Sequence, residues 1–138
     1  MYQQLAKIAR KFVKESTFLK FGFNISPMYR RSTARIIYIS DDIKTVKIKI
    51  PLSYKNRNYV GSIFGGSLFA AVDPIPMIQL MYILKEEYIV WDKAANIKFK
   101  RPAREDMHAT FEFTNKEIED IIAKVMEQKE FEHHKLTQ

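Results

Sequence analysis

A chain of 138 residues, 46% hydrophobic and 28% charged, has the composition of one globular domain and can bury a core without covalent staples. The lack of cysteine excludes a disulfide framework, a thiol nucleophile and a cysteine-ligated metal. Twenty-three Lys and Arg against 16 Asp and Glu give a net charge of +7; this suits a polyanionic partner, whether nucleic acid, anionic lipid or a phosphate-bearing molecule, and equally a solvated basic surface.

Along the chain, Leu5, Ile8, Ala9 and Phe12 recur at helical spacing, with Lys7, Arg10, Lys11 and Lys14 on or beside the other face. This predicts a basic amphipathic helix over residues 1–12 that lays its apolar stripe on the core. Apolar residues from Phe18 to Ile25 run on to the turn signal Ser26-Pro27. Residues 34–40 are β-branched and aromatic, Asp41-Asp42 interrupts them, and Thr45–Ile50 alternates strictly, with Val46, Ile48 and Ile50 opposite Lys47 and Lys49. Period two about a short polar break predicts an antiparallel hairpin with one wet face. Pro51 ends it, and a polar loop follows.

Gly61, Gly65 and Gly66 then precede a segment over residues 68–84 that is apolar nearly all round, which predicts a buried helix. Residues 88–101 form a long strand candidate, with Ile97 and Phe99 pointing one way and Asn96, Lys98 and Lys100 the other, and Pro102 stops it. Residues 108–113 predict a further strand. Thr114 with Glu117 three residues on reads as a capping box, opening a helix with the stripe Ile118, Ile121, Ile122, Val125 and Met126. The expectation is one α+β domain over residues 1–138, antiparallel strands around one very apolar central helix. No uninterrupted apolar run approaches the roughly 18 residues of a membrane span, and the N-terminus lacks a signal-peptide pattern, so a cytoplasmic protein without stable membrane insertion is expected.

Phosphate-loop, dinucleotide, zinc-protease and nucleophile-elbow motifs are absent, and so is an aromatic-rich RNA-binding strand. His133 and His134 beside Glu132 are adjacent tail residues, a poor geometry for one metal, and no metal site is expected. The informative stretch is residues 58–73. A Gly-Gly pair opening an apolar helix presents bare N–H groups at the positive end of the helix dipole, where they suit a developing oxyanion; close helix packing explains the same glycines. Asp73 is a carboxylate in otherwise apolar surroundings, costly unless used or paired. Asp73-Pro74 also reads as an N-cap followed by a first helical proline, so capping and catalysis are both open.

Asn58-x-x-Gly61-x-x-x-Gly65-Gly66, Asp73 eight residues after Gly65, and then Ala95-x-Ile97-x-Phe99-x-Arg101-Pro102-Ala103 together resemble the hotdog-fold acyl-CoA thioesterases of the phenylacetate-degradation type. The likeness runs from about Arg35 to Thr114. It is greatest to a poorly characterised hotdog family, described as thioesterase-like or of unknown function, in which an extra N-terminal helix and a Val-Trp-Asp-Lys segment (here Val90 to Lys93) recur. The resemblance implies a hotdog-like fold, an antiparallel sheet wrapped around the central helix, and a thioester hydrolase. Gly65 and Gly66 match the N–H donors that polarise the thioester carbonyl, Asp73 the general base or nucleophile, and Asn58 the amide that helps hold substrate. Phe64 stands where many relatives have histidine, Met77 where some have a hydroxyl, and the prolines after Asp73 depart from the pattern.

Eight residues of helix rise roughly 12 Å, so Gly65 and Asp73 of one chain flank one carbonyl poorly, whereas two antiparallel copies do so readily. A homodimer or homotetramer is therefore expected, with acyl-CoA as substrate, no cofactor beyond the coenzyme A of that substrate, and no nucleic-acid partner. Lys98, Lys100, Arg101 and Arg104 are candidates for the phosphates of coenzyme A, or a solvated strand face. A non-catalytic acyl-CoA-binding protein and a basic interaction domain are the rival readings. Asp92 and Lys93 read first as an ion pair. The resemblance also implies a further strand after the capped helix, lying within the sheet, for which residues 131–138 are too polar; either the tail pairs despite its composition, or neighbouring strands or another chain close the gap, or the chain is truncated, and low stability is expected of the 138-residue chain.

Overall fold

The computed structural model describes residue 4 and residues 14–137; the amphipathic helix expected over residues 1–12 lies outside this range except at Gln4. The elements in order are α1 (Glu15–Ile25), α2 (Pro27–Arg30), β1 (Arg35–Ile39), β2 (Thr45–Ile50), α3 (Gly65–Val72), α4 (Pro74–Leu84), a 3₁₀ turn (Lys85–Glu87), β3 (Met107–Glu112) and α5 (Asn115–Gln128). Helix α1 buries Ser16 and Leu19. Its Asn24 amide donates to the Ile36 carbonyl at 2.8 Å and accepts from the Ile36 N–H at 2.7 Å, standing in for a neighbouring strand at the outer edge of β1. Pro27 then opens α2, whose Tyr29 is fully buried against Phe23.

Strands β1 and β2 form the expected antiparallel hairpin, Arg35 opposite Lys49 and Ile39 opposite Val46, with an irregularity between Ile36 and Tyr38. In the turn, the Asp42 carboxylate accepts from the Ser40 hydroxyl and the Lys44 N–H, and these bonds hold its pKa below the ordinary value. Ile43 adopts a left-handed backbone, φ 63°, with its side chain buried. Strand β3 pairs with β2 in register from Thr45↔Glu112 to Ile50↔Met107, so the sheet order is β1-β2-β3. The inward face of the sheet carries Ile36, Ile39, Val46, Ile48, Ile50, Ala109 and Phe111.

The central helix departs from expectation in two ways. Its backbone runs through Asp73 in helical conformation, so α3 and α4 make one 20-residue helix, Gly65–Leu84, long and apolar enough by composition to cross a membrane. The uninterrupted-run criterion missed it because Asp73 and Gln79 break the run without breaking the helix. It is also not buried all round. Ala71, Ile75 and Gln79 pack on the sheet at i, i+4 and i+8, while Phe69 and Met81 are exposed and most other positions are half-buried. A three-stranded sheet covers one stripe of a helix; α5 packs on its C-terminal end at Leu80, Ile83 and Leu84, and Phe69 and Met81 stay open among the described residues. Gln79 donates from Nε2 to the carbonyls of Ile43 and Phe111, both at 3.2 Å, and its Oε1 has no partner.

The strand expected over residues 88–101 does not form. The segment is extended, yet it pairs with nothing among the described residues, and residues 91–100 are exposed. Alternation makes a strand only where another backbone lies within about 4.8 Å, and here the segment runs past the start of α3 instead of along the sheet. The sheet accordingly stops at β3. The Phe113 N–H bonds to the Lys44 carbonyl, which fixes the phase of the ladder and turns the backbone groups of His108, Thr110 and Glu112 outward. Lys135 reaches one of them, the Glu112 carbonyl.

Helix α5 opens on the expected capping box: the Glu117 N–H donates to the Thr114 hydroxyl at 3.1 Å, and the Thr114 N–H to the Glu117 carboxylate. Its stripe closes a second core with Leu84, Phe113, Ile118 and Ile121. The tail returns over the first turn of α5, where the Glu117 carboxylate also takes His133 at 2.8 Å and Lys135 at 2.9 Å. Burial alone would raise the Glu117 pKa; the Lys135 and His133 hydrogen bonds outweigh it and bring the pKa down.

Candidate functional site

The loop over residues 51–64 is built by two asparagines. Asn56 is buried and donates to the Thr33 hydroxyl at 2.7 Å and the Pro51 carbonyl at 2.8 Å, while its Oδ1 accepts from the Ser53 N–H. Asn58 Oδ1 accepts from the Val60 and Ser62 N–H groups and the Ser62 hydroxyl, each at 3.1 Å. Gly61 takes φ 76° to close this ring, a conformation that favours glycine. The Asn58 oxygen is thus committed to the loop, and only its amide N–H groups remain to meet a substrate.

The loop delivers the chain to α3. Phe64 occupies the N-cap without a capping side chain, and among the described residues no acceptor meets the N–H of Gly65 or Gly66. Both glycines lie under aromatic rings. A Cβ at Gly65 would sit 3.0 Å from the Phe99 ring, and one at Gly66 would sit 2.3 Å from the Phe64 ring. A side chain at either position would have to push the ring aside, which these exposed rings can allow, so glycine here lets the rings lie close over the helix start. The result is a pair of bare donors at a helix N-terminus, framed by two rings that are each more than half exposed. Phe99 contributes through the extended segment; its alternation with Ile97 was legible only as a strand pattern.

Asp73 lies on the same helix and is half-buried. Its backbone is helical, φ −52° and ψ −49°, and its side chain makes no capping hydrogen bond. The capping reading is therefore corrected: with the helix unbroken through Asp73, the free N–H groups that a cap would satisfy do not exist. Asp92 approaches from the extended segment. Partial desolvation, and then the negative charge of Asp73, raise the Asp92 pKa. The Asp92–Lys93 ion pair expected from sequence is also absent; Lys93 pairs with Glu132 of the tail.

Gly65, Gly66, Phe64 and Phe99 are thus brought together, and Asp92 lies within electrostatic reach of Asp73, but the glycines and Asp73 are about 12 Å apart along one helix. Lys98, Lys100, Arg101 and Arg104 are exposed, make no ion pair among the described residues, and flank Phe99. Open grooves of about 260 Å³ beside α5 and about 400 Å³ between the β1–β2 turn and α4 include none of the residues just named. Among the described residues, no group of three histidines and carboxylates could hold a metal.

No curated protein matches the chain. Among solved structures, a protein of unknown function from Pseudomonas aeruginosa, PA5026, described as a "Probable Thioesterase", superposes with TM-score 0.64 at 19% identity, over 81% of this chain and 74% of that one. A protein of unknown function from Chlorobaculum tepidum matches with TM-score 0.59 at 20% identity, over 82% and 71%. A second P. aeruginosa protein, PA5202, matches with TM-score 0.52 at 16% identity, over 63% and 69%. At these identities the likeness is one of fold. A family model matches residues 15–134, and by it this chain, with its hotdog-like arrangement of antiparallel sheet and long apolar helix, belongs to the family described as Domain of unknown function (DUF4442).

Proposed function

We propose that the protein is an acyl-CoA thioester hydrolase whose site is completed between two copies of the chain. The observation that carries this reading is the pair of unpartnered N–H groups at Gly65 and Gly66, with an uncapped Asp73 on the same helix. The donors hold the carbonyl oxygen of the thioester as it becomes an oxyanion. Asp73 takes a proton from water as the water oxygen attacks the carbonyl carbon, and returns it to the sulfur as the carbon–sulfur bond breaks. The products are a carboxylic acid and the free thiol of coenzyme A. Because roughly 12 Å separates donors from base in one chain, the Asp73 that serves a given Gly65 belongs to the antiparallel helix of a second copy. The half-exposed apolar stripe of the central helix is the surface that such a copy would cover. Phe64 and Phe99 line the acyl side, and Lys98, Lys100, Arg101 and Arg104 meet the phosphates. The resemblance to a "Probable Thioesterase" structure supports the reaction class.

The test is hydrolysis of a panel of acyl-CoAs with release of free thiol. Asp73→Asn is expected to lower kcat by about 10²–10⁴ with KM little changed. Full activity in Asp73→Asn, or activity in a protein that light scattering shows to be monomeric, would overturn the shared-site mechanism. Saturable binding of acyl-CoA without hydrolysis would replace it with the non-catalytic reading.

A further inference from the structure

The loop over residues 51–64 has a second property that the hydrolase reading does not use. Its interior is locked by Asn56 and Asn58, by the Phe64 N–H to Asn56 carbonyl bond at 2.7 Å, and by the bridge between Arg57 and Ile63. Yet its outward side chains are apolar as well as basic. Tyr54 is 85% exposed, Val60 63%, and Tyr59, at 109%, stands clear of every neighbour. Lys55 and Arg57 alternate with them and are exposed too. Residues 43–72 contain no carboxylate. The Ile63 N–H bonds to the Ala103 carbonyl at 2.8 Å, which brings the Arg101–Arg104 stretch to the loop's base. Asp106, which accepts there from the Leu52 N–H, is already paired with Lys49.

We propose that this loop docks the protein on an anionic lipid bilayer surface. Protruding side chains fit a soft, penetrable partner: tyrosines suit the headgroup level, Val60 reaches the acyl boundary, and Lys55 and Arg57 lie where anionic headgroups are. Nucleic acid fits less well. Sequence-tolerant binding of single strands uses rings laid open as a stacking platform inside a basic groove, whereas here the exposed set includes the aliphatic Val60, which offers a base nothing to stack on. The rigid loop loses little freedom on docking, which favours association, and the small number of anchoring side chains keeps it reversible. This inference is independent of the hydrolase reading, since none of Tyr54, Lys55, Arg57, Tyr59 and Val60 belongs to the proposed site.

The experiment is co-sedimentation of the full chain with phosphatidylcholine vesicles and with phosphatidylcholine–phosphatidylserine vesicles, at low and high salt. Binding is expected only to the phosphatidylserine vesicles, and it should weaken with salt. Lys55→Glu combined with Arg57→Glu should lower the partition coefficient at least about tenfold. Tyr59→Ser combined with Val60→Ser should lower it by a similar factor without changing its salt dependence, while circular dichroism and oligomeric state stay those of the parent. Failure of the parent chain to bind, equal binding to neutral vesicles, or loop variants that bind as the parent does would each overturn the proposal. So would loop variants that alter self-association instead, or parent binding to DNA alone.

Discussion

Tyr29 ties α2 to the central helix two residues before Asp73, and its replacement by phenylalanine has a calculable signature. The ring is fully buried and its hydroxyl donates to the Ala71 carbonyl at 2.8 Å. Tyr29→Phe removes one neutral hydrogen bond and opens no cavity larger than an oxygen atom, a loss of about 1 kcal/mol. In a domain of this size that lowers Tm by roughly 3–5 °C. Burial also pushes the Tyr29 pKa well above its ordinary value. The phenol is therefore kept protonated in the folded state and ionises near pH 10 only in the unfolded one. Its contribution is full below that pH and is lost as pH rises further, by about 1.4 kcal/mol at pH 11. The phenylalanine variant has no such loss, so the two stability curves cross near about pH 10.6. Denaturant titrations of both proteins between neutral pH and pH 11 measure the crossing. Parallel curves, or a neutral-pH loss above about 3 kcal/mol, would show that the hydroxyl is not placed as described.

Thr114→Ala should cost about 1 kcal/mol by removing the cap of α5, and Thr114→Ser should restore most of it, read from the denaturant midpoint. Glu117→Gln should loosen the tail held by His133 and Lys135 and speed tryptic cleavage after Lys129 several-fold; an unchanged digestion rate would mean that the tail is not held there. Because the Glu117 pKa is lowered on folding, its contribution is present above about pH 4.3 and fades as pH falls, so the stability difference between parent and Glu117→Gln, read from denaturant midpoints, should shrink in acid. The outer backbone groups of His108 and Thr110, unpaired among the described residues, with an extended segment that joins no sheet, predict a marginal domain prone to edge association. A cooperative transition above about 65 °C in non-aggregated protein would contradict that.

Much of the fold was legible because it is set locally. Thr45–Ile50 forms with the bounds that its alternation gives, and Thr114 and Glu117 close their box because both partners lie within one turn. The glycines of α3 were legible as the opening of an apolar helix, but the rings over them were not, since Phe99 arrives from 34 residues away along the chain. The segment over residues 88–101 shows the limit of period two: the pattern records which way side chains point, not whether a backbone is there to pair with. Of the two roles left open at Asp73, the cap falls away for a similar reason. An Asp-Pro pair permits a helix start, and only the packing of Ala71 and Ile75 on one sheet decides that the helix runs through.

The turn between β1 and β2 has a consequence for the order of folding. Ile43 is β-branched and left-handed, a conformation that costs roughly 1–2 kcal/mol for a residue with a Cβ. A turn carrying that cost is a poor nucleus by itself. What compensates is distant: the Ile43 side chain is buried in the core, and its carbonyl is held by Gln79, 36 residues on in α4. The hairpin therefore gains its full stability only when the helix arrives, although its two strands are separated by a few residues. The stability of sheet and helix is thereby coupled, and the Gln79 side chain buried at their junction is the group through which each registers the other's presence.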